Sequence, residues 1–123
     1  MAEILIIDDE PAIRELLIRV LHKAGHTGYE AGSGDEGIEL FHQVHPALVI
    51  TDIVMPDMEG IELIRELRRE APTLQILAIS GGGPPVFLRA ATALGATAAL
   101  EKPFGADQLL PVVEDLLEKG NER

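Results

Sequence analysis

Two hydrophobic patterns alternate along the chain. Residues 4–7 are a continuous run of Ile and Leu, which is typical of a parallel β-strand covered on both faces. Apolar residues then recur three and four positions apart, as on one face of an α-helix. Pro11 suits the first turn of this helix, and Gly25 suits the left-handed position just after its end. The helical positions are Ile13, Leu16, Leu17, Val20, Leu21 and Ala24.

The same pair of patterns occurs four more times. Further strands are predicted at residues 27–31, 47–51, 75–79 and 97–101. Four further helices are predicted. One begins with the capping sequence at Ser33 and ends at Val44, and another covers residues 59–70. The other two are indicated by apolar helical faces, from Phe87 to Leu94 and from Leu109 to Leu117. Five strand–helix units with short connections predict an α/β fold, in which a parallel sheet carries helices on both faces.

Proline and glycine mark the connections between these elements. A turn is predicted at Met55-Pro56-Asp57, and a mobile loop is predicted where three glycines and two prolines follow Ser80. This loop lacks the lysine and the glycine spacing of nucleotide-binding loops, so nucleotide binding is not expected. Pro111 lies inside the last helical pattern, where it removes one backbone hydrogen bond and favours a kink.

Length and composition restrict the class of protein. The 123 residues suit a single domain, with a core at about residues 3–119 and a short charged tail. There is no cysteine, which excludes disulfides, cysteine–zinc sites and a thiol nucleophile. The net charge of −11 disfavours binding to nucleic acid and to anionic membranes. A cytoplasmic location is expected, because the sequence shows neither a membrane-spanning run nor the basic start of a secretory signal.

Polar side chains follow four of the five predicted strands. The first strand ends in Asp8-Asp9, the third in Asp52, the fourth in Ser80 and the fifth in Lys102. The carboxyl ends of parallel strands meet at one edge of the sheet, so these groups are expected to converge there. Acidic residues after a strand also cap helices, but that explanation does not account for the set as a whole.

Convergence of three carboxylates requires a cation. At a few ångströms, each close pair of negative charges costs on the order of 4 kcal/mol at an effective dielectric constant near 20. Hard oxygen ligands suit Mg²⁺, and Lys102 would add a fixed positive charge beside it. A divalent cation, an ammonium group, a hydroxyl and a nucleophilic carboxylate together indicate a phosphoryl-transfer site.

An ordered set of short motifs points to a known family. The set comprises Asp8-Asp9, Asp52 followed by Met55-Pro56 and Gly60, Ser80-Gly81, and Lys102-Pro103-Phe104. It resembles the response-regulator receiver domain of two-component signalling, the CheY-like fold, from Ile4 to about Lys119. The resemblance implies the doubly wound flavodoxin-like (βα)5 architecture with strand order 2-1-3-4-5.

The resemblance also implies a role for each acidic residue of the motifs. Asp52 would accept a phosphoryl group from the phosphohistidine of a sensor histidine kinase or a phosphotransfer protein. Asp9 would bind Mg²⁺ directly and Asp8 mainly through water. The Asp52 carboxylate and the backbone carbonyl of Val54 would complete the ligands from the protein.

The remaining motif residues would act on the phosphoryl group. Lys102 would pair with the Asp52 carboxylate and then with its phosphoryl group, and Ser80 would hydrogen-bond a phosphoryl oxygen. The peptide bond before Pro103 would be cis, an isomer essentially confined to X–Pro bonds. Such a protein is a signalling phosphoacceptor that promotes its own phosphorylation and slow autodephosphorylation, and it is not counted as an enzyme.

One position departs from the family pattern. Receiver domains usually carry Tyr or Phe three residues before the lysine, and here that residue is Ala99. The aromatic rotamer switch therefore cannot operate in its usual form. Either the glycine-rich loop carries the signal or the output depends on another surface. The output partner is not identified by the sequence. Because no effector domain is predicted, the chain is expected to be either a stand-alone receiver or a piece of a longer regulator, and Met1 slightly favours the first.

Two alternatives were weighed against this interpretation. A phosphohydrolase of the haloacid-dehalogenase kind also forms an aspartyl phosphate, but it needs an acid two residues after the nucleophile, where this chain has Val54. A pseudo-receiver, an interaction module independent of phosphorylation, usually lacks the acidic pair, the aspartate or the lysine, all of which are present. The four histidines, at the ends of the first two helices, are interpreted as groups favoured by the helix dipole and not as metal ligands.

Overall fold

The computed structural model describes residues 1–54, 60–81 and 86–121. In that part of the chain strands and helices alternate, and the strand bounds agree with the prediction to within one residue. The strands are β1 (Glu3–Ile7), β2 (Thr27–Ala31), β3 (Leu48–Asp52), β4 (Gln75–Ser80) and β5 (Ala98–Glu101). The helices are α1 (Pro11–Lys23), α2 (Gly34–Val44), α3 (Gly60–Glu70), α4 (Val86–Leu94) and α5 (Ala106–Asn121).

Some sequence predictions fall on residues that the structure does not describe. These are the turn at Met55-Pro56-Asp57, the loop residues 82–85, the helix start at Glu59 and the end of the tail at residues 122–123. The side chain of Phe87, predicted on a helical face, also lies outside the described part.

The five strands form one parallel sheet in the order β2-β1-β3-β4-β5. This confirms the predicted doubly wound (βα)5 fold and its strand order. Strand β1 pairs with β2 on one side and with β3 on the other, so the direction of winding reverses between β1 and β3. In open parallel sheets such a reversal opens a crevice at the carboxyl ends of the strands, which is the usual place for a ligand.

The sheet has a hydrophobic layer on each face because successive side chains of a strand point to opposite sides. On one side, Leu5 and Ile7 pack with α2, α3 and α4. On the other side, Ile4 and Ile6 pack with α1 and α5. All four of these β1 residues are fully buried, which explains why the strand appears in the sequence as a continuous apolar run.

The helix ends follow local rules, with two details that the pattern did not predict. Ser33 Oγ accepts a hydrogen bond from the Glu36 N–H, as in a capping box. The Glu36 carboxylate, however, accepts from the N–H of Gly32 and not from that of Ser33. Helix α2 ends at His45 in the left-handed conformation, at φ 54°, immediately before the predicted stop at Pro46.

Helix α5 continues through Pro111, so the proline does not end it. Pro111 lies at an exposed position of this helix. Among the described residues, no helix combines the length and the apolar character needed to cross a bilayer.

His26 corrects the interpretation of the histidines as groups stabilised at helix ends. The residue follows α1 and is only 6% exposed. Its Nδ1 accepts a hydrogen bond from the Ala2 N–H, and its Nε2 lies 2.9 Å from Glu114 Oε2 on α5. His26 therefore joins the start of the chain to the last helix, a contact that helical periodicity cannot reveal.

Candidate functional site

The polar groups predicted at the strand ends do converge. Asp52 is the last residue of β3 and pairs in register with Ile79, so Ser80 comes one residue beyond it on β4. Ser80 pairs with Glu101, so Lys102 comes one residue beyond the end of β5. Asp8 directly follows β1. Parallel register thus brings four distant parts of the sequence to one edge of the sheet.

The ammonium group of Lys102 contacts three carboxylates. Its Nζ lies 3.4 Å from Asp52 Oδ2, which is the predicted pair. It lies closer, at 3.0 Å, to Asp8 Oδ2, and it lies 3.3 Å from Glu10 Oε1. Glu10 was not predicted as a site residue, although its position directly after the acidic pair Asp8-Asp9 is a signal that the sequence contains.

The two buried aspartates are held in the same way. Asp52 Oδ1 accepts a hydrogen bond from the Val54 N–H at 3.1 Å, and Asp8 Oδ1 accepts one from the Glu10 N–H at 2.9 Å. In both residues the second oxygen, Oδ2, faces Lys102. A backbone amide two residues ahead and a shared lysine therefore fix the orientation of each carboxylate.

Burial and the neighbouring charged groups both shift the pKa values of Asp52 and Lys102. Burial raises the pKa of Asp52, and the negative charge of Asp8 adds to that effect. The Val54 N–H and Lys102 oppose it but do not cancel it. For Lys102, burial lowers the pKa, but the hydrogen bond to Asp8 and the charges of Asp52 and Asp8 raise it overall. The lysine is therefore held as an ammonium ion between its carboxylate partners.

Two glycines allow the backbone to approach the site closely. A Cβ at Gly60 would lie 2.3 Å from the backbone oxygen of Asp52, where α3 begins against the end of β3. A Cβ at Gly81 would lie 2.8 Å from Cδ of Lys102. The Lys102 N–H donates to the Ser80 carbonyl at 2.8 Å, and the Lys102–Pro103 peptide bond is cis, as predicted.

Four carboxylates could hold a metal ion together. Asp8, Asp9, Glu10 and Asp52 each offer one oxygen, and these oxygens all lie within 4.8 Å of one another. Asp8 and Asp52 are buried, whereas Asp9 and Glu10 are exposed. Carboxylate oxygens with open space for water are the donor set that suits Mg²⁺, so the residues present fit this cation.

Arg14 supports the acidic loop from α1 and was also missed by the sequence analysis. Its Nη1 donates to the Asp8 carbonyl at 2.7 Å, while its Nε pairs with Glu30 at 2.8 Å. The guanidinium group thus joins the end of β2 to the turn that carries Asp8. The sequence predicts that Arg14 lies on the first helix. It does not predict its partners, because these depend on how α1 packs beside β2.

Ala99 lies on β5, the edge strand, and its register partner is Ala78. The residue is exposed. The position at which receiver domains usually carry an aromatic ring is therefore occupied here by a methyl group.

Comparison with known proteins agrees with this architecture. The family model described as "Response regulator receiver domain" matches residues 4–114. Sensor kinase CckA of Brucella abortus is 37% identical over 120 residues, which are 96% of this chain and 13% of that protein. Sporulation initiation phosphotransferase F of Bacillus subtilis is 29% identical over 115 residues, which are 94% of this chain and 93% of that protein.

Solved structures give the same result. The receiver domain protein (CheY-like) of Methanospirillum hungatei superposes with a TM-score of 0.94 at 26% identity, covering 99% of this chain and 98% of that one. NtrX of Brucella abortus superposes with a TM-score of 0.92 at 34% identity, covering 98% of this chain and 28% of that one. The chain thus spans nearly the full length of some relatives and less than half of others, among them 13% of CckA and 28% of NtrX. Because the family model matches most of its residues, this chain belongs to the response regulator receiver domains of two-component systems.

Proposed function

We propose that this protein is a signalling phosphoacceptor whose Asp52 receives a phosphoryl group in an Mg²⁺-dependent reaction. The donor is the phosphohistidine of a sensor histidine kinase or of a phosphotransfer protein. The observation that carries the proposal is the position of Asp52, a buried carboxylate with one oxygen held by the Val54 N–H and the other 3.4 Å from the Lys102 ammonium.

The transfer requires one bond to form and one to break. An oxygen of the Asp52 carboxylate attacks phosphorus, and the O–P bond forms as the N–P bond of the phosphohistidine breaks. The electron pair of that bond stays on the imidazole nitrogen of the donor. The product is an acyl phosphate on Asp52, and slow hydrolysis by water restores the carboxylate.

The acidic loop supplies the metal site in this proposal. Asp9 and the carboxylate of Asp52 would bind Mg²⁺ directly, Asp8 would bind it mainly through water, and the backbone carbonyl of Val54 would complete the set. The bound cation would neutralise charge that develops on the phosphoryl oxygens. Lys102 contributes a second positive charge beside the Asp52 carboxylate, and its contact with Asp8 keeps it in place.

The phosphoryl group would then act as a switch. The Ser80 hydroxyl would hydrogen-bond a phosphoryl oxygen, which biases an existing equilibrium in the segment after Ser80, in α4 and in β5. Output would pass to a partner protein on the surface formed by α4, β5 and α5. No role for nucleic acid or a membrane is proposed, and with Ala99 in place of the usual aromatic residue the rotamer switch of the family would not operate in its usual form.

Labelling with a small acyl phosphate tests the proposal. The wild-type protein is expected to be labelled in the presence of Mg²⁺ and not in the presence of EDTA. Asp52→Asn should abolish labelling, because the amide is not a nucleophile. Asp115→Asn is the matched control, since Asp115 pairs with Lys119 on the exposed surface of α5. Labelling of Asp52→Asn would overturn the site, and an unlabelled wild type would favour the phosphorylation-independent pseudo-receiver.

A further inference from the structure

Glu10 occupies an unusual place for a glutamate. It is the N-cap residue of α1, a position usually filled by Ser, Thr, Asp or Asn, and its side chain makes no capping hydrogen bond. Its Oε1 instead lies 3.3 Å from the Lys102 ammonium, while its N–H donates to Asp8 Oδ1. The side chain is 61% exposed. The Glu10 carboxylate therefore contacts Lys102 beside Asp52 and does not cap helix α1.

The contacts of Lys102 account for all of its hydrogen-bond donors. An ammonium group has three N–H bonds, and among the described residues three carboxylates lie within 3.4 Å of Nζ. Asp8 and Asp52 are buried, and a backbone amide fixes the second oxygen of each. Glu10 is the exposed partner of the three, and its carboxylate has no backbone amide holding it in the contacts described.

A new acceptor near Asp52 therefore displaces Glu10 first. An exposed ion pair contributes little because water replaces it easily, whereas a phosphoryl group on the buried residue Asp52 would accept short, charge-assisted hydrogen bonds. Breaking the contact to Asp8 would leave a fully buried carboxylate without its counter-ion, which is more costly. The least costly rearrangement keeps Asp8 and releases Glu10.

We propose that Glu10 is a positioning residue for Lys102: it holds one donor of the ammonium while Asp52 is unmodified and releases it when a phosphoryl group arrives. This inference rests on the proposed function and adds a residue to it. Because the contact exists only in the unmodified state, it opposes phosphorylation. Loss of the contact should therefore strengthen binding of a phosphoryl analogue when Mg²⁺ is saturating.

Two variants of Glu10 distinguish the effect of its contact with Lys102 from the effect of its negative charge. Glu10→Gln removes the charge and keeps the size of the side chain. Glu10→Asp keeps the charge but shortens the side chain by one methylene, which withdraws the carboxylate from Lys102. Glu15→Gln is the control, because Glu15 is an exposed carboxylate on the same helix that pairs only with Arg19 in the described contacts. All variants are full-length chains.

Three measurements test the inference: the affinity for beryllium fluoride at saturating Mg²⁺, the affinity for Mg²⁺ alone by calorimetry, and the ¹⁵Nζ chemical shift of Lys102 in metal-free protein. Both Glu10 variants should bind beryllium fluoride about two- to fivefold more tightly, the range expected for loss of an exposed ion pair. Both should change the Lys102 shift, and neither should lose Mg²⁺ affinity by about tenfold or more, the loss expected if the residue were itself part of the metal site. Glu15→Gln should change none of the three.

Other outcomes overturn the inference in distinct ways. If Glu10→Asp behaves like wild type while Glu10→Gln binds the analogue more tightly, charge alone acts and positioning is wrong. If either variant loses Mg²⁺ affinity tenfold or more, Glu10 is a metal ligand instead. If the Lys102 shift does not change, the contact is absent in solution. A wild-type protein that binds no beryllium fluoride would overturn the proposed function itself, whatever the Glu10 variants do.

Discussion

Lys102 lies closer to Asp8 than to Asp52, at 3.0 Å against 3.4 Å. Asp8 is fully buried, so the lysine neutralises a carboxylate that has no access to water. Lys102 thus has a structural role that precedes any chemistry at Asp52. It compensates two buried negative charges that would otherwise oppose folding.

Replacing Lys102 should therefore destabilise the metal-free protein. Lys102→Met keeps the length of the side chain but leaves Asp8 and Asp52 without a counter-ion. We expect the free energy of unfolding to fall by about 1–3 kcal/mol, below the full value for a buried pair because the site opens to solvent. Urea denaturation with and without Mg²⁺ measures this, and Mg²⁺ should recover part of the loss.

The matched control for that experiment is Lys119→Met, which removes an exposed pair with Asp115. It should change stability by less than about 0.5 kcal/mol. A Lys102→Met protein as stable as wild type in EDTA would contradict the structural role.

Binding of Mg²⁺ should stabilise the fold through the acidic cluster. A ligand at about 100 times its dissociation constant adds about 2.7 kcal/mol to the free energy of unfolding. We expect the Tm of wild type to rise with Mg²⁺ concentration and that of Asp9→Asn to rise much less at the same concentration. Asp35→Asn, an exposed carboxylate on α2, is the control and should respond like wild type. Equal shifts for Asp9→Asn and wild type would remove Asp9 from the ligand set.

The close approach at Gly60 predicts a large effect from a single methyl group. In Gly60→Ala, the new Cβ would meet the backbone of Asp52 and Ile53, neither of which can move without disturbing β3. The expected destabilisation is about 2–3 kcal/mol, together with reduced acyl-phosphate labelling because Asp52 is displaced.

Gly120→Ala is the comparison for Gly60→Ala. Its Cβ would lie 3.4 Å from Cγ of Gln75, an ordinary contact, and Gly120 lies in a helix. Because alanine favours the helix, stability should be unchanged or higher by up to about 1 kcal/mol. Chemical denaturation measures the stability of both variants, and acyl-phosphate labelling measures the effect on Asp52. Gly60→Ala with wild-type stability would show that the backbone there can relax.

Arg68 should be a stabilising link between α3 and α4. Its guanidinium donates two hydrogen bonds to the Gly95 carbonyl, at 3.1 and 2.7 Å, and others to the carbonyls of Ala71 and Pro72. Gly95 adopts φ 133° at the end of α4, where the chain turns to β5. Burial lowers the pKa of Arg68, because the charged guanidinium is partly removed from water.

Arg68→Met is therefore expected to cost about 1–3 kcal/mol, because several carbonyl groups lose a charged donor. Amide hydrogen exchange in the last turn of α4 should become faster. Arg69→Met removes only an exposed pair with Glu66 and should stay within about 0.5 kcal/mol of wild type. Unchanged exchange in α4 of Arg68→Met would exclude the proposed link.

The sequence by itself determined the order and the type of the elements. Periodicity located β2 at residues 27–31, just as the structure has it, and Pro11 and Gly25 marked the ends of α1 correctly. These features depend on interactions within a few residues, so local sequence is sufficient to predict them. The predicted strand ends supplied the set Asp8, Asp52, Ser80 and Lys102, which the structure brings to one edge of the sheet, and the family resemblance supplied the strand order.

Only the tertiary structure decided the side-chain contacts between different elements that no sequence motif includes. The contacts of Lys102 with Asp8 and Glu10, of Arg68 with Gly95 and of His26 with Glu114 join residues from different elements. Such pairs depend on strand register, on helix packing and on the reach of each side chain, and none of these is encoded within a short window of sequence.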